Sequence, residues 1–196
     1  MTDDDVLAEF RAADALLEGH FILSSGKHSP AYLQCARVMM DPARAARLCA
    51  ALADKVRAAH GPDAFDLCVS PAMGGVIVGY EVARQLGLPS VFAERVEGSF
   101  LFRRGFDIAP GARCLMIEDV VTTGLSSREC IEAIRAAGGE VTGGAALVDR
   151  SGGMADIGVP FTALVSLTIP VYAEGEIPDA LAGIPAVKPG SRGLRT

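Results

Sequence analysis

This 196-residue chain is predicted to be α/β, with a parallel sheet flanked by helices and a small N-terminal appendage. Short apolar runs alternate with stretches of helical periodicity from residue 41 onward. Twice, such a run breaks into a loop of small residues that opens a helix: Pro71-Ala72-Met73-Gly74-Gly75, and Val120-Val121-Thr122-Thr123-Gly124. Ligands of open parallel sheets bind outside the carboxyl ends of the strands, so both loops are candidate sites.

Composition narrows the classes. Half of the residues are apolar, with 22 Gly and 11 Pro, as in an ordinary α/β protein. A net charge of −6 argues against general nucleic-acid binding, although an acidic protein can still hold a phosphorylated metabolite in a locally positive field. No apolar run is long enough to span a membrane. The acidic start Met1-Thr2-Asp3-Asp4-Asp5 is unlike a secretory leader, so a cytoplasmic location is expected. Cys35, Cys49, Cys68, Cys114 and Cys130 lack metal-ligand spacing and are odd in number, which suits buried free thiols. His20, His28 and His60 are scattered and suggest no metal cluster. No repeat or low-complexity segment stands out.

Taken in order, residues 3 to about 18 show a helical stripe of Val6, Phe10, Ala13 and Leu17, closed by Gly19. Two short strands around a Gly turn follow between residues 20 and 40. Asp41-Pro42 reads as a cap and first-turn proline for a helix carrying Ala45, Leu48, Leu52 and Val56, stopped at Gly61-Pro62. Strands are predicted at 66–70, 90–93, 114–117, 141–148 and 163–167, and helices at 76–86 and about 127–137. Ser126 and Glu129 have capping-box spacing. Residues 94–110 show no clear period, and the Gly- and Pro-rich tail is assigned little structure. The whole chain, 1–196, reads as a single domain, with an appendage at 1–40, a core at 41–170 and a tail at 171–196.

The most informative run is Cys114-Leu-Met-Ile-Glu118-Asp119-Val-Val-Thr122-Thr123-Gly124-Leu125-Ser126. Backbone N–H groups entering a helix suit a phosphate. Two carboxylates beside such a cradle are repulsive unless they serve another part of the ligand, and ribose hydroxyls donate well to carboxylates.

This run resembles the phosphoribosyl-pyrophosphate (PRPP) signature of the type I phosphoribosyltransferase family. Gly19 to Pro30, Pro71 to Gly75, Asp149-Arg150 and Gly183 to Arg192 resemble the orotate-using branch of that family. The resemblance implies a type I phosphoribosyltransferase-like fold, residues 1–40 forming a hood. It implies Mg²⁺-dependent transfer of ribose 5-phosphate from PRPP to orotate in pyrimidine (UMP) biosynthesis, by a cytoplasmic homodimer. It also implies that Val120, Val121, Thr122, Thr123, Gly124, Leu125 and Ser126 bind PRPP, with Thr122 to Ser126 holding the 5′-phosphate, and that Glu118 and Asp119 hold the ribose and stabilise charge at the anomeric carbon. Met73 and Gly74 belong to the matching pyrophosphate loop. Orotate would meet Arg150, whose fork suits a carboxylate, with Thr122 and Lys27. The metal would ride mainly on PRPP oxygens and waters, with no direct protein ligand.

The sequence departs from the family in its mobile loop. Ala93 to Gly105 contains neither Lys nor His. Arg95 is the nearest basic candidate for the catalytic set, with Arg103 and Arg104 beyond it; a hairpin with an exposed basic turn is the alternative. Two other functions stay open: transfer to a purine or other base, and PRPP binding by a non-catalytic regulator.

Overall fold

The computed structural model describes residues 1–23 and 25–189; the final part of the tail resemblance, Gly190 to Arg192, lies outside them. Helix α1 (Asp3–Ala12) is capped reciprocally: Asp5 N–H donates to the Thr2 hydroxyl and Thr2 N–H to the Asp5 carboxylate. The predicted helix to residue 18 is too long. Asp14 takes a left-handed backbone (φ 48°), and Leu17 falls in strand β1 (Leu16–Ile22). Gly19, read as a helix stop, sits instead at an irregularity of this strand. Strand β2 (His28–Leu33) pairs antiparallel with β1, giving the two strands expected there.

Helix α2 (Cys35–Val38) leads to α3 (Pro42–His60), where the Asp41 carboxylate accepts from the N–H groups of Ala43 and Arg44, and Gly61 closes the helix. The core then runs β3 (Leu67–Pro71), α4 (Gly74–Leu86), β4 (Ser90–Val96), β5 (Ser99–Phe102), β6 (Arg113–Val121), α5 (Leu125–Ala136), β7 (Glu140–Asp149) and β8 (Phe161–Ser166). The six strands lie in the order β5-β4-β3-β6-β7-β8, all parallel except β5. Residues 94–102, without a readable period, complete β4 and turn at Glu97-Gly98 into the antiparallel edge strand β5.

Helices cover both faces. On one, Leu48, Leu52 and Val56 of α3 and Val78 and Val82 of α4 meet Leu115, Ile117 and Leu147. On the other, Cys130, Ile131 and Ile134 of α5 meet Met116, Ala146 and Ile157. From β3 the chain crosses outward to β4, and from β6 it crosses the other way to β7. The carboxyl ends of β3 and β6 are therefore the topological switch point, where open α/β sheets bind ligands.

The tail contains more structure than its composition suggests. A short helix α6 (Asp179–Ala182) follows a 3₁₀ turn, and the flanking segments attach to the hood strands. Ile22 N–H donates to Val187 O, Val187 N–H to His20 O, and His28 and Tyr172 exchange backbone bonds. The buried His20 ring joins both parts: Nδ1 contacts Ile184 O at 2.9 Å and Nε2 contacts His28 Nδ1 at 2.6 Å. Replacing His20 with Ala removes both contacts of the buried ring, to the Ile184 carbonyl and to the half-buried His28. The expected loss in urea unfolding is about 1–3 kcal/mol, with faster amide exchange at Val187. Unchanged stability and exchange would remove the imidazole pair as the fastening between tail and hood.

Candidate active site

Strand alternation sends the two signature carboxylates to opposite faces of β6. Glu118 turns toward α5 and lines a pocket of about 250 Å³ with Arg95, Val120 to Ser127 and Glu129. Asp119 turns toward α4. Its carboxylate lies so close to Gly74 that a Cβ there would stand 2.7 Å from Oδ1, and Oδ1 also accepts from Val120 N–H at 2.9 Å. Gly74 is thus required by a close approach: the first turn of α4 and the end of β6 leave space for no side chain between them.

Both carboxyls are costly to ionise. Burial, and then the neighbouring Asp119, push the Glu118 carboxyl from 4.5 up to about 8; Ser126 and Arg95 only partly offset this. Burial also raises Asp119, against the backbone hydrogen bonds that favour its anion. Glu118 Oε2 is buried and has no hydrogen-bond partner among the described residues. A neutral Glu118 resolves the repulsion that the sequence poses, because an uncharged acid can border a phosphate cradle.

The cradle is the turn from Val121 to Ser126. Gly124 caps α5 with φ 73°, and any side chain there would strike Arg128 and Ile157. Arg128 donates to the carbonyls of Thr123 and Asp156, which fixes the turn from below. The first N–H groups of α5 lack helical acceptors and stay available to an anion. The capping box read from Ser126 and Glu129 is not formed. The helix begins one residue before Ser126, its cap Gly124 has no side chain, and Glu129 meets Arg95 instead.

Arg95 projects from β4 into the pocket wall. Its guanidinium reaches Glu129 Oε2 at 2.5 Å and Gly98 O at 2.6 Å, and lies 4.2 Å from the centre of the Phe100 ring. Arg104 pairs with Glu94 at 2.6 Å, and Arg103 lies 3.8 Å from the same carboxylate. The segment forms a hairpin, but its turn is Glu97-Gly98 rather than the expected basic turn, since Arg103 and Arg104 follow β5; Arg95 is the arginine of the segment that borders the pocket. Ser127 and Glu129 also line it. Glu129 is separated from Arg95 by 34 positions, so only β4 and α5 packing together reveals the pair.

Five predicted residues lie outside this pocket: Asp119 and Gly74 on the α4 side, and Met73, Lys27 and Arg150. Met73 is 84% exposed, although its neighbour Gly74 touches Asp119. Lys27 is exposed in the hood turn. Arg150 follows β7; its N–H donates to Val121 O at 2.8 Å, and its guanidinium has no ion pair among the described residues. Desolvation lowers its pKa, partly opposed by the nearby Tyr32 of the hood. A second locus thus forms between hood and sheet, beside the phosphate cradle. All five cysteines are free and buried. Among the described residues no three acidic, His or Cys side chains gather as a metal cage, and no helix is long and apolar enough to cross a membrane.

An acidic strand end between a glycine loop and a phosphate cradle, at the switch point of a parallel sheet, defines a phosphoribosyltransferase-type protein. The family model for the phosphoribosyl transferase domain matches residues 41–168. The chain belongs to the orotate phosphoribosyltransferase family: it is 64% identical over 195 residues to the enzyme of that name from Sphingopyxis alaskensis, covering 99% of each chain. It is 60% identical to that of Erythrobacter litoralis, over 98% of this chain and 99% of the other. The fold is similar to the crystal structure of orotate phosphoribosyltransferase from Aeropyrum pernix, with a TM-score of 0.68, 24% identity, and coverage of 83% of this chain and 93% of that one.

The raised Glu118 carboxyl links stability to pH. Between its ordinary value of 4.5 and about 8 the folded protein binds the extra proton. The stabilisation is complete below that window and is lost as pH rises through it. Replacing Glu118 with Gln should therefore gain about 1–3 kcal/mol relative to the parent between pH 5 and 8, measured by urea unfolding. Parallel pH profiles would show that Glu118 is already ionised at neutral pH.

Proposed function

We propose that the chain transfers ribose 5-phosphate from PRPP to orotate, releasing pyrophosphate and forming orotidine 5′-phosphate in pyrimidine (UMP) biosynthesis. The observation that carries the reading is the placement of Glu118 and Asp119 on either side of β6, directly before the α5 cradle. That spacing serves a ribose carrying a phosphate. The N–H groups of the turn take the 5′-phosphate with the Thr122, Thr123 and Ser126 hydroxyls, and the two carboxyls accept from ribose hydroxyls.

In the reaction an orotate nitrogen bonds to the anomeric carbon as the carbon–oxygen bond to pyrophosphate breaks. Positive charge develops on the ribose; the Asp119 carboxylate, already in place, stabilises it without reorganisation, while the Glu118 carboxyl accepts from a ribose hydroxyl. Arg95, held over Phe100 by Glu129, contributes positive charge on the pyrophosphate side; its high pKa makes it a poor proton donor. Met73 and Gly74 offer backbone to the same group. The orotate carboxylate is received by Arg150 at the hood, with Thr122 and Lys27 as further contacts.

Mg²⁺ fits this donor set. The unpartnered Glu118 Oε2 and the Asp119 carboxylate are hard oxygen ligands, but no protein cage surrounds them among the described residues. They would meet the ion through water or ribose hydroxyls while PRPP supplies most of its ligands. When bound, the ion neutralises charge on the departing pyrophosphate.

The working unit is read as a cytoplasmic homodimer of single-domain chains. Support for the dimer comes from Ile77 and Tyr80 of α4 (55% and 64% exposed) and Leu101 of β5 (48%). An apolar hollow of about 350 Å³ lies beside them, between α4, β4 and Phe106.

Ultraviolet loss of orotate in the presence of PRPP and Mg²⁺ tests the proposal; turnover with another base alone would overturn it. Replacing Arg150 with Ala should raise the orotate KM by about tenfold or more and leave the PRPP KM within about twofold. Equal rises would count against the carboxylate role. Replacing Gly74 with Ala displaces the Asp119 carboxylate and should lower kcat by about tenfold or more, with an unchanged circular dichroism spectrum. Full activity of that variant would show that the close approach is not needed.

A further inference from the structure

Arg150 lacks an ion pair among the described residues although the adjacent residue is an aspartate. Asp149 is 2% exposed at the end of β7. Its lone pairs are occupied by local donors: Oδ1 accepts from Ser151 N–H at 2.8 Å and the Ser151 hydroxyl at 2.6 Å, and Oδ2 accepts from Gly153 N–H at 2.8 Å and the Ser166 hydroxyl at 3.4 Å. The Ser151 oxygen in turn accepts from Ala155 N–H at 2.7 Å. Gly152 and Gly153 both take positive φ (68° and 87°), and a Cβ on Gly152 would stand 2.5 Å from the Thr168 hydroxyl. The turn after Arg150 is therefore folded around the Asp149 carboxylate.

The backbone on both sides of Arg150 is also fixed. Arg150 N–H donates to Val121 O at 2.8 Å, and Leu167 N–H donates to Asp149 O at 2.7 Å. These bonds tie Arg150 to the end of the signature strand and to the residue after β8. A buried carboxylate without partners would capture the nearest guanidinium. This one is saturated by backbone and hydroxyl donors, so the guanidinium next to it keeps its charge for a ligand.

We propose that Asp149 is a positioning residue for the acceptor: by folding the 151–153 turn upon itself it orients Arg150 and leaves that guanidinium free for the carboxylate of the incoming base. The inference rests on the carboxylate role of Arg150 given under Proposed function. Asparagine at position 149 has one acceptor oxygen in place of two and turns an N–H₂ group toward existing donors, so the turn loosens.

The test is a steady-state double-mutant cycle of Asp149→Asn and Arg150→Ala, with uracil, which lacks the carboxylate, as a competitive inhibitor. In Asp149→Asn the orotate KM should rise about tenfold while the PRPP KM and the uracil inhibition constant stay within about twofold. In the Arg150→Ala background the same substitution should have little further effect on orotate. Parallel weakening of orotate, uracil and PRPP, or full additivity in the cycle, would overturn the inference. If Asp149→Asn does not fold, Ser151→Ala replaces it: an orotate-specific rise of about threefold supports the proposal and no rise overturns it. If Arg150→Ala itself spares orotate, the carboxylate reading fails, and this inference with it.

Discussion

The site depends on bringing two carboxyl groups into the low-dielectric end of a central strand beside the turn that opens α5, the proposed phosphate cradle. Glu118 and Asp119 can occupy consecutive positions because β6 presents them to opposite faces. Separation alone does not remove the penalty of burial. The Glu118 carboxyl, lifted to about 8, gives up its charge in the free protein, and the Asp119 carboxylate is supported by Val120 N–H. Much of the surrounding structure follows from this arrangement: Gly74 because Asp119 needs its space, Arg95 because the pocket needs positive charge, and Gly124 because the cradle needs a tight left-handed start.

The sheet order places these groups where two loops diverge. Since β3 and β6 are neighbours whose crossovers leave in opposite directions, a crevice opens between their carboxyl ends. One side of that crevice carries the glycine loop into α4 and the other the cradle into α5. The third wall comes from outside the sheet. The hood strands bring Tyr32 near Arg150, and the tail holds the hood through backbone bonds at Ile22, His28 and Val187. On the proposed function, the N-terminal strands and the tail contribute to the acceptor side, while the core builds the donor side.

Much of this was legible in the sequence. Apolar periodicity gave the core strands and helices, because β3, β6 and β7 are buried on both faces while α3 and α5 are amphipathic. What the sequence hid depends on long-range pairing or on a single dihedral. The stripe from Val6 to Leu17 continues across Asp14, whose left-handed backbone ends α1 early. The β4–β5 hairpin turns on Glu97-Gly98 within a charged segment that has no period. Tail residue Val187 joins β1 from more than 160 positions away. Glu129 looked like half of a capping box, yet Gly124 starts the helix and releases Glu129 to Arg95. The acidic pair and cradle were legible because one continuous run of sequence forms them; that Arg150 has no ion pair among the described residues and that the Asp149 carboxylate is saturated were not, since Ser166 comes from a different strand.

The central claim is that the acidic pair reads the ribose while the cradle reads its phosphate. Calorimetry comparing ribose 5-phosphate with inorganic phosphate, in the parent and in Asp119→Asn, tests it most directly. The parent should bind ribose 5-phosphate about tenfold or more tightly than phosphate, and the substitution should remove most of this gain while leaving phosphate affinity unchanged. Equal affinities in the parent, or an equal loss for both ligands in the variant, would contradict it.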